Sequence, residues 1–422
     1  MTAFTYRNGV LHAESVPLPA IAAAVETPCY IYAAGQMETN FRAFTGAFHG
    51  QDVGICFALK ANSNQAVIRT LGQMGAGADV VSGGEMQRAL AAGIAPERIV
   101  FSGVGKTRAE MEAALAAGIF QINVESLPEL EQLSAVAGAM GVEAPVAVRV
   151  NPDVDARTHA KIATGRKENK FGIDLALAPE VFRQAAALPG IRPLGVAMHI
   201  GSQLTALEPF RAAFTHLADL VRSLREQGHD IRRVDLGGGL GIAYRNEDLP
   251  DLGDYARLVQ SATGNLGCHV TLEPGRALVG NAGLLLVRVL YVKTGVARRF
   301  IIVDGAMNDL IRPTLYEAWH GIQPVREPAA DAVPEPFDVV GPICETGDTF
   351  ARQRDLPVPA AGDLLAVMAA GAYGAVMASS YNSRPLIPEV LVRGDVWAVV
   401  RARPSVAELI AADTLPAWLN PA

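Results

Sequence analysis

Four short stretches of the chain carry side chains suited to chemistry on a small molecule. Lys60 ends the apolar run CFAL within FALKANSN, and His199 lies in the equally apolar VAMHIGSQ. The stretch DLGGGLG, which begins at Asp235, contains three consecutive glycines whose backbone N–H groups can surround an anion. EPGR links the carboxylate of Glu273 to the guanidinium of Arg276 across a Pro-Gly turn. An amine nucleophile, an imidazole, a carboxylate and an anion site together predict covalent chemistry on an aldehyde that carries a phosphate.

Each of these features also has a simpler explanation when it is taken alone. A lysine at a strand end usually extends its ammonium into water, and a single histidine in an apolar run is usually a hydrogen-bonded core residue. Consecutive glycines often make only a tight turn, and EPGR could be a turn with a surface ion pair. The chemical interpretation therefore depends on whether the fold brings the four stretches together.

The elements around these stretches predict a single rim. From about residue 53, eight short apolar runs alternate with helical patterns that open on Ser, Thr, Asn or Gly and close on Gly. The runs are VGICFALK, GADVVS, RIVFSG, FQINVE, APVAVRVN, LGVAMHIG, RRVDLGG and HVTLEPG. This order predicts an α/β fold with a closed, TIM-like (β/α)8 barrel, with an open doubly wound sheet as the alternative. In such barrels the residues that end the strands face the same rim, here Lys60, Asp79, Ser82, Arg149, Asn151, His199, Ser202, Gly237 to Gly239, Glu273 and Arg276.

The rest of the chain predicts a second domain. After about residue 277, longer β-rich runs are separated by Pro and Gly turns, which is typical of a mainly β domain, either a sandwich or a barrel. Residues 1–33 resemble short strands that join it. We therefore predict a barrel domain over 34–277 that binds the cofactor. The β domain, 1–33 with 278–422, is expected to contribute residues to the substrate site and to a dimer interface.

The groups on the predicted rim fit pyridoxal 5'-phosphate. The amine of Lys60 can bind the aldehyde covalently, and the carboxylate of Glu273 can keep the ring nitrogen protonated so that the ring accepts electrons. We expect Lys60 to be buried, because a desolvated amine is a better nucleophile.

Composition and spacing exclude several other classes of function. The 422 residues carry a net charge of −7 with no long basic run, which argues against nucleic acid or an anionic membrane as partner. The uncharged stretch Leu364 to Ser383 is long enough to span a membrane, but short aliphatic pieces on either side of AGAYG favour strands around a turn. The N-terminus shows no secretion signal, and GVGKT lacks the leading glycine of a phosphate-binding loop, since Val100 stands there. The spacing of the four cysteines and eight histidines predicts no metal site and a cytoplasmic location.

The motifs together resemble a known family. FALKANSN, GADVVSGGE, VFSGVGKT, HIGSQ, DLGGGLGI, EPGR, MNDLIRPTLYEAWH, GPICETGD and GAYG are similar to those of the diaminopimelate decarboxylases, which belong to the alanine-racemase-like, fold-type III class of pyridoxal phosphate enzymes. The resemblance covers nearly the whole chain. It implies decarboxylation of meso-2,6-diaminopimelate at its D-centre to L-lysine and CO2, the last step of lysine biosynthesis.

The resemblance also implies roles for individual residues. Lys60 would hold the cofactor covalently, His199 would stack on its ring, and Glu273 would pair with the ring nitrogen. The phosphate would lie among Ser202, Gly238, Gly239, Gly275, Arg276 and Tyr373. The substrate would be bound by Arg276, Arg312, Tyr316, Glu345 and Tyr373, with Arg312 and Tyr316 on the distal carboxylate and Glu345 on the distal amino group. Asp79, Glu85 and Arg149 would support these residues.

A shared site follows if the resemblance holds. Cys344 would come from a neighbouring subunit and donate a proton to the substrate carbon, so a homodimer with two composite sites is expected. The hydrophilic segment Thr158 to Lys170 is expected to act as a lid.

Three other functions remain open at this stage. A related decarboxylase acting on ornithine, arginine or carboxynorspermidine would not need a carboxylate-binding arginine such as Arg312. A racemase would need a second base, commonly a tyrosine, where this chain has Cys344. A non-catalytic pyridoxal phosphate-binding barrel would need neither residue, and no second domain.

Overall fold

The computed structural model of the protein describes residues 3–155, 159–162, 164–165 and 170–419. The chain divides into two compact units, residues 37–280 and residues 1–36 with 281–422. The domain boundaries expected from the sequence stay a prediction. Part of the segment Thr158 to Lys170, the expected lid, lies outside the described residues.

The N-terminal part contains one helix that the sequence interpretation missed. A small antiparallel sheet comprises β1 (Phe4–Arg7), β2 (Val10–Ala13) and β3 (Val16–Pro17), and α1 (Leu18–Val25), β4 (Cys29–Ala33) and α2 (Ala34–Ala47) follow. The expectation of short strands alone was wrong for α1. Its sequence LPAIAAAV is rich in alanine and has proline near its start, both of which favour a helix.

The eight predicted strands form a closed parallel barrel, so the predicted fold class is confirmed. The chain passes through β5 (Val53–Ala58), α3 (Gln65–Gln73), β6 (Gly77–Val80), α4 (Gly83–Ala91), β7 (Ile99–Phe101), α5 (Arg108–Ala117), β8 (Gln121–Val124), α6 (Leu127–Met140), β9 (Ala144–Asn151), β10 (Ile173–Asp174), α7 (Ala178–Ala187), β11 (Ile191–Ala197), α8 (Glu208–Glu226), β12 (Arg233–Asp235), α9 (Leu252–Thr263), β13 (His269–Leu272) and α10 (Arg276–Val279). The order β9-β11-β12-β13-β5-β6-β7-β8 closes through pairing of β8 with β9, and the two-residue β10 adds to β9 outside this ring.

Capping side chains start four of the barrel helices close to the strand ends. Asn64 accepts from the backbone N–H of Ala66, and Ser82 and Ser126 accept from the N–H three residues later. Thr107 forms a capping box with Glu110. Since each cap satisfies N–H groups that a helix leaves unpaired, the chain turns from strand to helix within a few residues. The strand ends are thereby held on one rim.

The second unit is built on a large, mainly antiparallel sheet. Its elements after residue 281 are β14 (Gly283–Thr294), β15 (Arg299–Val303), α11 (Arg312–Tyr316), β16 (Ile322–Pro324), β17 (Glu335–Val340), β18 (Thr349–Leu356), β19 (Leu364–Val367), β20 (Glu389–Arg393), β21 (Val396–Arg401) and α12 (Val406–Ala411). The sheet has the order β18-β17-β15-β14-β4-β20-β21, and β19 pairs with both β14 and β16. The expected mainly β character of this part of the chain is confirmed.

The uncharged stretch from Leu364 is only partly as expected. Strand β19 precedes AGAYG, but the aliphatic piece after it, Ala375–Met377, is a turn of 3-10 helix rather than a strand. Of the part of the chain that the structure describes, no helix is long and apolar enough to cross a membrane.

Candidate active site

Lys60 lies at the rim of the barrel in an ion pair. It follows β5 in a single 3-10 turn, and its Nζ is 2.7 Å from Oδ2 of Asp79, at the end of the neighbouring strand β6. Asp79 is fully buried, whereas the Lys60 side chain keeps 32 % of its surface exposed. The expectation that Lys60 is buried was therefore wrong. The amine of Lys60 is thus paired with the buried carboxylate of Asp79 and stays accessible to a ligand at the rim.

Glu273 is the end of a buried polar chain that crosses the barrel. Its carboxyl hydrogen-bonds to Asp235, whose Oδ2 accepts from Nδ2 of Asn123 at 2.9 Å and whose Oδ1 accepts from the N–H of Gly237 at 2.9 Å. Burial raises the pKa of Glu273 well above its ordinary value, the charges of Asp235 and Asp79 raise it further, and the charge of Lys60 opposes them. The proton of the pair therefore resides on Glu273, and Asp235 accepts its hydrogen bond.

The three glycines after β12 are required by close packing. Gly237 and Gly239 have φ of +66° and +110°, the left-handed region that favours glycine. A Cβ on Gly238 would lie 2.2 Å from the carbonyl oxygen of Glu273. No helix begins directly after this turn, since α9 starts only at Leu252. The turn places the carbonyl oxygen of Gly237 beside the backbone N–H of Glu273, and the N–H of Gly238 beside His199, without help from a helix.

His199 is held in its neutral form. Burial lowers the pKa of its imidazole well below the ordinary value, and the nearby cations Lys60 and Arg149 lower it further. Its Nδ1 accepts from the N–H of Gly238 at 3.2 Å, so the ring proton is on Nε2. One part of the residue stays accessible. A neutral, oriented ring suits a flat contact with a ligand.

Ser202 and Arg276 lie next to each other on the same rim. Arg276 is 6 % exposed and donates from Nη2 to Oγ of Ser202 at 3.0 Å and from Nη1 to the hydroxyl of Tyr244 at 2.5 Å. The alternative interpretation of EPGR as a turn with a surface ion pair is therefore wrong. At Gly275, a Cβ would lie 2.9 Å from the Cβ of Ala61, so this glycine lets EPGR approach the Lys60 turn closely.

The three residues expected to support the site have defined contacts. Asp79 binds Lys60, as above. Glu85 accepts from the N–H of Val81 at 2.8 Å, and burial raises its pKa. Arg149 forms a buried ion pair with Glu125, 2.9 Å from Nη1 to Oε1. Glu85 and Arg149 thus hold the loops that follow strands β6 and β8.

The second unit contains the residues expected at the substrate, except for Arg276 on the barrel rim. Arg312 is the first residue of α11, is 6 % exposed, and places Nη1 2.7 Å from Nε2 of His320. Tyr316 ends the same helix and is partly buried. Cys344 and Glu345 are both exposed, and Glu345 hydrogen-bonds to the phenol of Tyr381.

Tyr373 has an unusual backbone. Its φ of +56° is in the left-handed region, which is uncommon for any residue other than glycine. Such conformations concentrate at functional sites, because the surrounding structure must hold them in place. The neighbouring Gly374 leaves room for Tyr30, whose hydroxyl would be 2.7 Å from a Cβ at that position.

The residues on the barrel rim fit pyridoxal phosphate. Oε1 of Glu273 and Oδ1 of Asp79 are buried and have no hydrogen-bond partner among the residues that the structure describes. A buried polar atom without a partner is rare, and a protonated ring nitrogen would supply the donor that Glu273 lacks. Lys60 is accessible beside them. Within the described ranges, no three His, Cys, Asp or Glu side chains form a metal site.

Comparisons with known proteins decide the family. The model of the pyridoxal-dependent decarboxylases, pyridoxal binding domain, matches residues 34–280. Diaminopimelate decarboxylase of Pseudomonas aeruginosa is 52 % identical over 98 % of this chain and 99 % of its own, and that of Zymomonas mobilis is 48 % identical over 99 % and 100 %. This chain belongs to the diaminopimelate decarboxylase family.

Solved structures of the family agree in fold. Diaminopimelate decarboxylase of Helicobacter pylori, crystallised with L-lysine, is 43 % identical and superposes with a TM-score of 0.90 over 94 % of this chain and 98 % of its own. The enzyme of M. jannaschii, also in complex with L-lysine, is 35 % identical with a TM-score of 0.94 over 99 % of both chains. The family, the enzyme class and the cofactor inferred from the sequence are confirmed.

Several residues of the site were not singled out in the sequence. They are Asn123, Asp235, Tyr244 and His320. Asp235 opens DLGGGLG and His320 closes YEAWH, so both stood within motifs already noticed. Asn123 and Tyr244 carried no such signal, because only the closed barrel brings them to Asp235 and Arg276.

Proposed function

We propose that this protein decarboxylates meso-2,6-diaminopimelate at its D-centre to give L-lysine and CO2, with pyridoxal 5'-phosphate as cofactor. The observation that carries the proposal is Glu273, a buried carboxyl of raised pKa with one oxygen left without a partner among the described residues. Near it are the amine of Lys60, which is accessible to a ligand, and the neutral ring of His199. The names of its relatives point to the same reaction.

The cofactor would be held by residues of the barrel rim and by Tyr373. Lys60 would bind its aldehyde covalently, His199 would lie against its ring, and Glu273 would face the ring nitrogen. The phosphate would be bound by Ser202, Gly238, Gly239, Gly275, Arg276 and Tyr373. When bound, pyridoxal phosphate supplies an aldehyde for the substrate amine and a ring that takes up the electron pair released with CO2.

The proton on Glu273 is maintained by its neighbours. Asp235 is fixed by Asn123 and by the N–H of Gly237, so its charge stays beside Glu273. Because that charge raises the pKa of Glu273, the carboxyl keeps its proton and donates it to Asp235, and its other oxygen, Oε1, would accept a hydrogen bond from a protonated ring nitrogen. Because His199 is neutral, it adds no positive charge that would compete for the proton of Glu273.

The second carboxylate of the substrate would be bound by Arg312 and Tyr316. A guanidinium is planar and donates two parallel hydrogen bonds to a carboxylate. Glu345 would bind the distal amino group, and Tyr373 and Arg276 would contact the reacting end. A substrate without the distal carboxylate would lose its charged hydrogen bonds to the largely buried Arg312, which lowers its rate.

Cys344 would donate the proton that replaces CO2, and would do so from a neighbouring subunit. The thiol is exposed in the single chain, and its backbone N–H is fixed by Oδ1 of Asn382 at 3.0 Å. A proton donor must be shielded from water when it acts. A homodimer with shared sites would provide that cover. The cytoplasmic location and the lid stay predictions.

The first experiment measures CO2 release by purified protein with added pyridoxal phosphate, together with lysine release from meso-diaminopimelate. The substrates are meso-diaminopimelate, ornithine and arginine, and the variants are Cys344→Ala and the control Cys268→Ala, which removes a buried thiol of the barrel. Lysine from meso-diaminopimelate alone, much reduced only in Cys344→Ala, is expected. A protein that binds the cofactor but decarboxylates none of the three would be a binding barrel, and the proposal would be wrong.

The shared site has its own test. Lys60→Ala and Cys344→Ala variants are each expected to be inactive as homodimers. After subunit exchange about half of the dimers are mixed, and each has one site with both residues, so roughly a quarter of the wild-type activity should return. No recovery, with exchange verified by mass spectrometry, would place Lys60 and Cys344 of one chain in the same site.

A further inference from the structure

The carboxylate-binding candidate Arg312 is held by a histidine. Nη1 of Arg312 lies 2.7 Å from Nε2 of His320, and His320 is completely buried. On the other side of the ring, Nδ1 lies 2.8 Å from the carbonyl oxygen of Met368. His320 therefore connects the start of α11 to the end of β19.

These two contacts fix the protonation of the ring. A guanidinium can only donate hydrogen bonds, so Nε2 of His320 must be the acceptor. A carbonyl oxygen can only accept, so Nδ1 must carry the proton. The neutral tautomer with hydrogen on Nδ1 is the one form that satisfies both Arg312 and Met368.

The backbone around His320 leaves the ring little freedom. Nη1 of Arg354 donates to the carbonyl oxygen of His320 at 2.7 Å. The N–H of Met368 donates to the carbonyl oxygen of Gly321 at 2.8 Å, which extends the antiparallel pairing of β16 with β19. The acceptor offered to Arg312 is thus attached to a sheet rather than to a loop.

We propose that His320 is a positioning residue that directs the guanidinium of Arg312 toward the distal carboxylate of the substrate, an inference that rests on the proposed function. A neutral imidazole takes up one donor of the guanidinium without adding charge. Arg312 then keeps its full positive charge for a carboxylate. Since this carboxylate does not react, its binding contributes equally to the ground state and the transition state, and His320 should affect KM more than kcat.

Two variants of similar size separate positioning from general structural support. In His320→Asn, the amide can replace Nδ1 as the donor to Met368, but Arg312 loses its acceptor. In His320→Gln, the longer amide can place its oxygen near the position of Nε2, so the acceptor is retained. The control is His12→Asn, since Nδ1 of His12 also contacts a backbone carbonyl, that of Val10 at 2.8 Å.

The readouts are KM and kcat for meso-diaminopimelate and the dissociation constants of two ligands. L-lysine retains the distal carboxylate, whereas 1,5-diaminopentane lacks it. His320→Asn is expected to raise KM and the L-lysine constant about tenfold or more, as loss of a charged hydrogen bond does, with kcat changed within about threefold. His320→Gln should raise both by less than about threefold, and neither variant should change the binding of 1,5-diaminopentane.

Two results would overturn the proposal, and a third concerns the function itself. Equal KM shifts in the Asn and Gln variants would show that His320 only supports the fold. An unchanged KM in His320→Asn would show that Arg312 is directed by something else. If wild-type protein releases no lysine, the proposed function fails first, whereas an active wild type with either of the other results rejects His320 alone.

Discussion

Gly238→Ala tests whether the glycine turn holds Glu273 in place. The added Cβ would be 2.2 Å from the Glu273 carbonyl oxygen, and real Cβ atoms essentially never come closer than 3.0 Å, so the two atoms must separate by roughly 0.8 Å. Gly238 does not have a positive φ, so alanine adds no backbone strain of its own. Overpacking of this kind costs about 2–3 kcal/mol of unfolding free energy.

The displacement should reach the cofactor. The N–H of Glu273 donates to the carbonyl oxygen of Gly237 at 2.7 Å, and the N–H of Gly238 donates to His199. Movement of the turn therefore shifts both residues that are proposed to contact the ring. Because a misplacement of about 1 Å can cost as much as 100-fold, we expect pyridoxal phosphate to bind at least about tenfold more weakly.

Urea denaturation measures the free energy of unfolding. Cofactor affinity is measured separately, without urea so that wild type and variant are both folded, by titrating the apoprotein with pyridoxal phosphate and recording the absorbance. The matched control is Gly138→Ala in α6, where a Cβ meets nothing within 4 Å. It should stabilise the helix by about 0.5–1 kcal/mol and leave cofactor affinity unchanged. If Gly238→Ala had the same stability and cofactor affinity as the wild type, the reasoning would be refuted, since the Glu273 backbone could then move aside at no cost.

Two further predictions concern buried charges. The Lys106 side chain is 1 % exposed and binds Glu129 and two backbone carbonyls, each at 2.7 Å, so Lys106→Met should cost about 3–5 kcal/mol in urea denaturation. Adding Glu129→Gln should recover part of this loss, and a cost under about 1 kcal/mol would contradict the role of the pair. Burial raises the pKa of Asp309 to about 6, so its folded form favours the neutral acid. The contribution of Asp309 to the free energy of unfolding is fully present below its unfolded pKa of about 4. It is lost as pH rises through 6, by up to about 3 kcal/mol. Asp309→Asn should therefore be more stable than wild type at pH 7 but not at pH 4, and equal melting curves at both values would contradict this.

Local patterns were sufficient for the barrel. The eight apolar runs became its eight strands, because near-continuous apolar residues suit a parallel sheet covered by helices. The helices began at Asn64, Ser82, Thr107 and Ser126, whose side chains accept the first free N–H groups. Capping and periodicity act over a few residues, which is why they can be recognised in the chain itself.

Interpretations that depended on surroundings were less successful. Lys60 was expected to be buried because a desolvated amine is a better nucleophile, yet the residue that determines its environment is Asp79, on the next strand. The interpretation of GVGKT correctly excluded a phosphate loop. It did not predict what Lys106 does, which is to bind Glu129 of α6. Helix α1 was missed because a short apolar stretch suits either a strand or a helix until its partners are known.

The sequence by itself determined the family, the fold class and the type of each chemical group, since these depend on residue identity and on spacing along the chain. Only the tertiary structure decided the state of those groups. The proton on Glu273 depends on Asp235 and Asp79, from two other strands, and the tautomer of His320 depends on Arg312 and Met368. Protonation and hydrogen bonding respond to atoms a few ångströms away in space, and no local pattern records which distant residues those atoms come from.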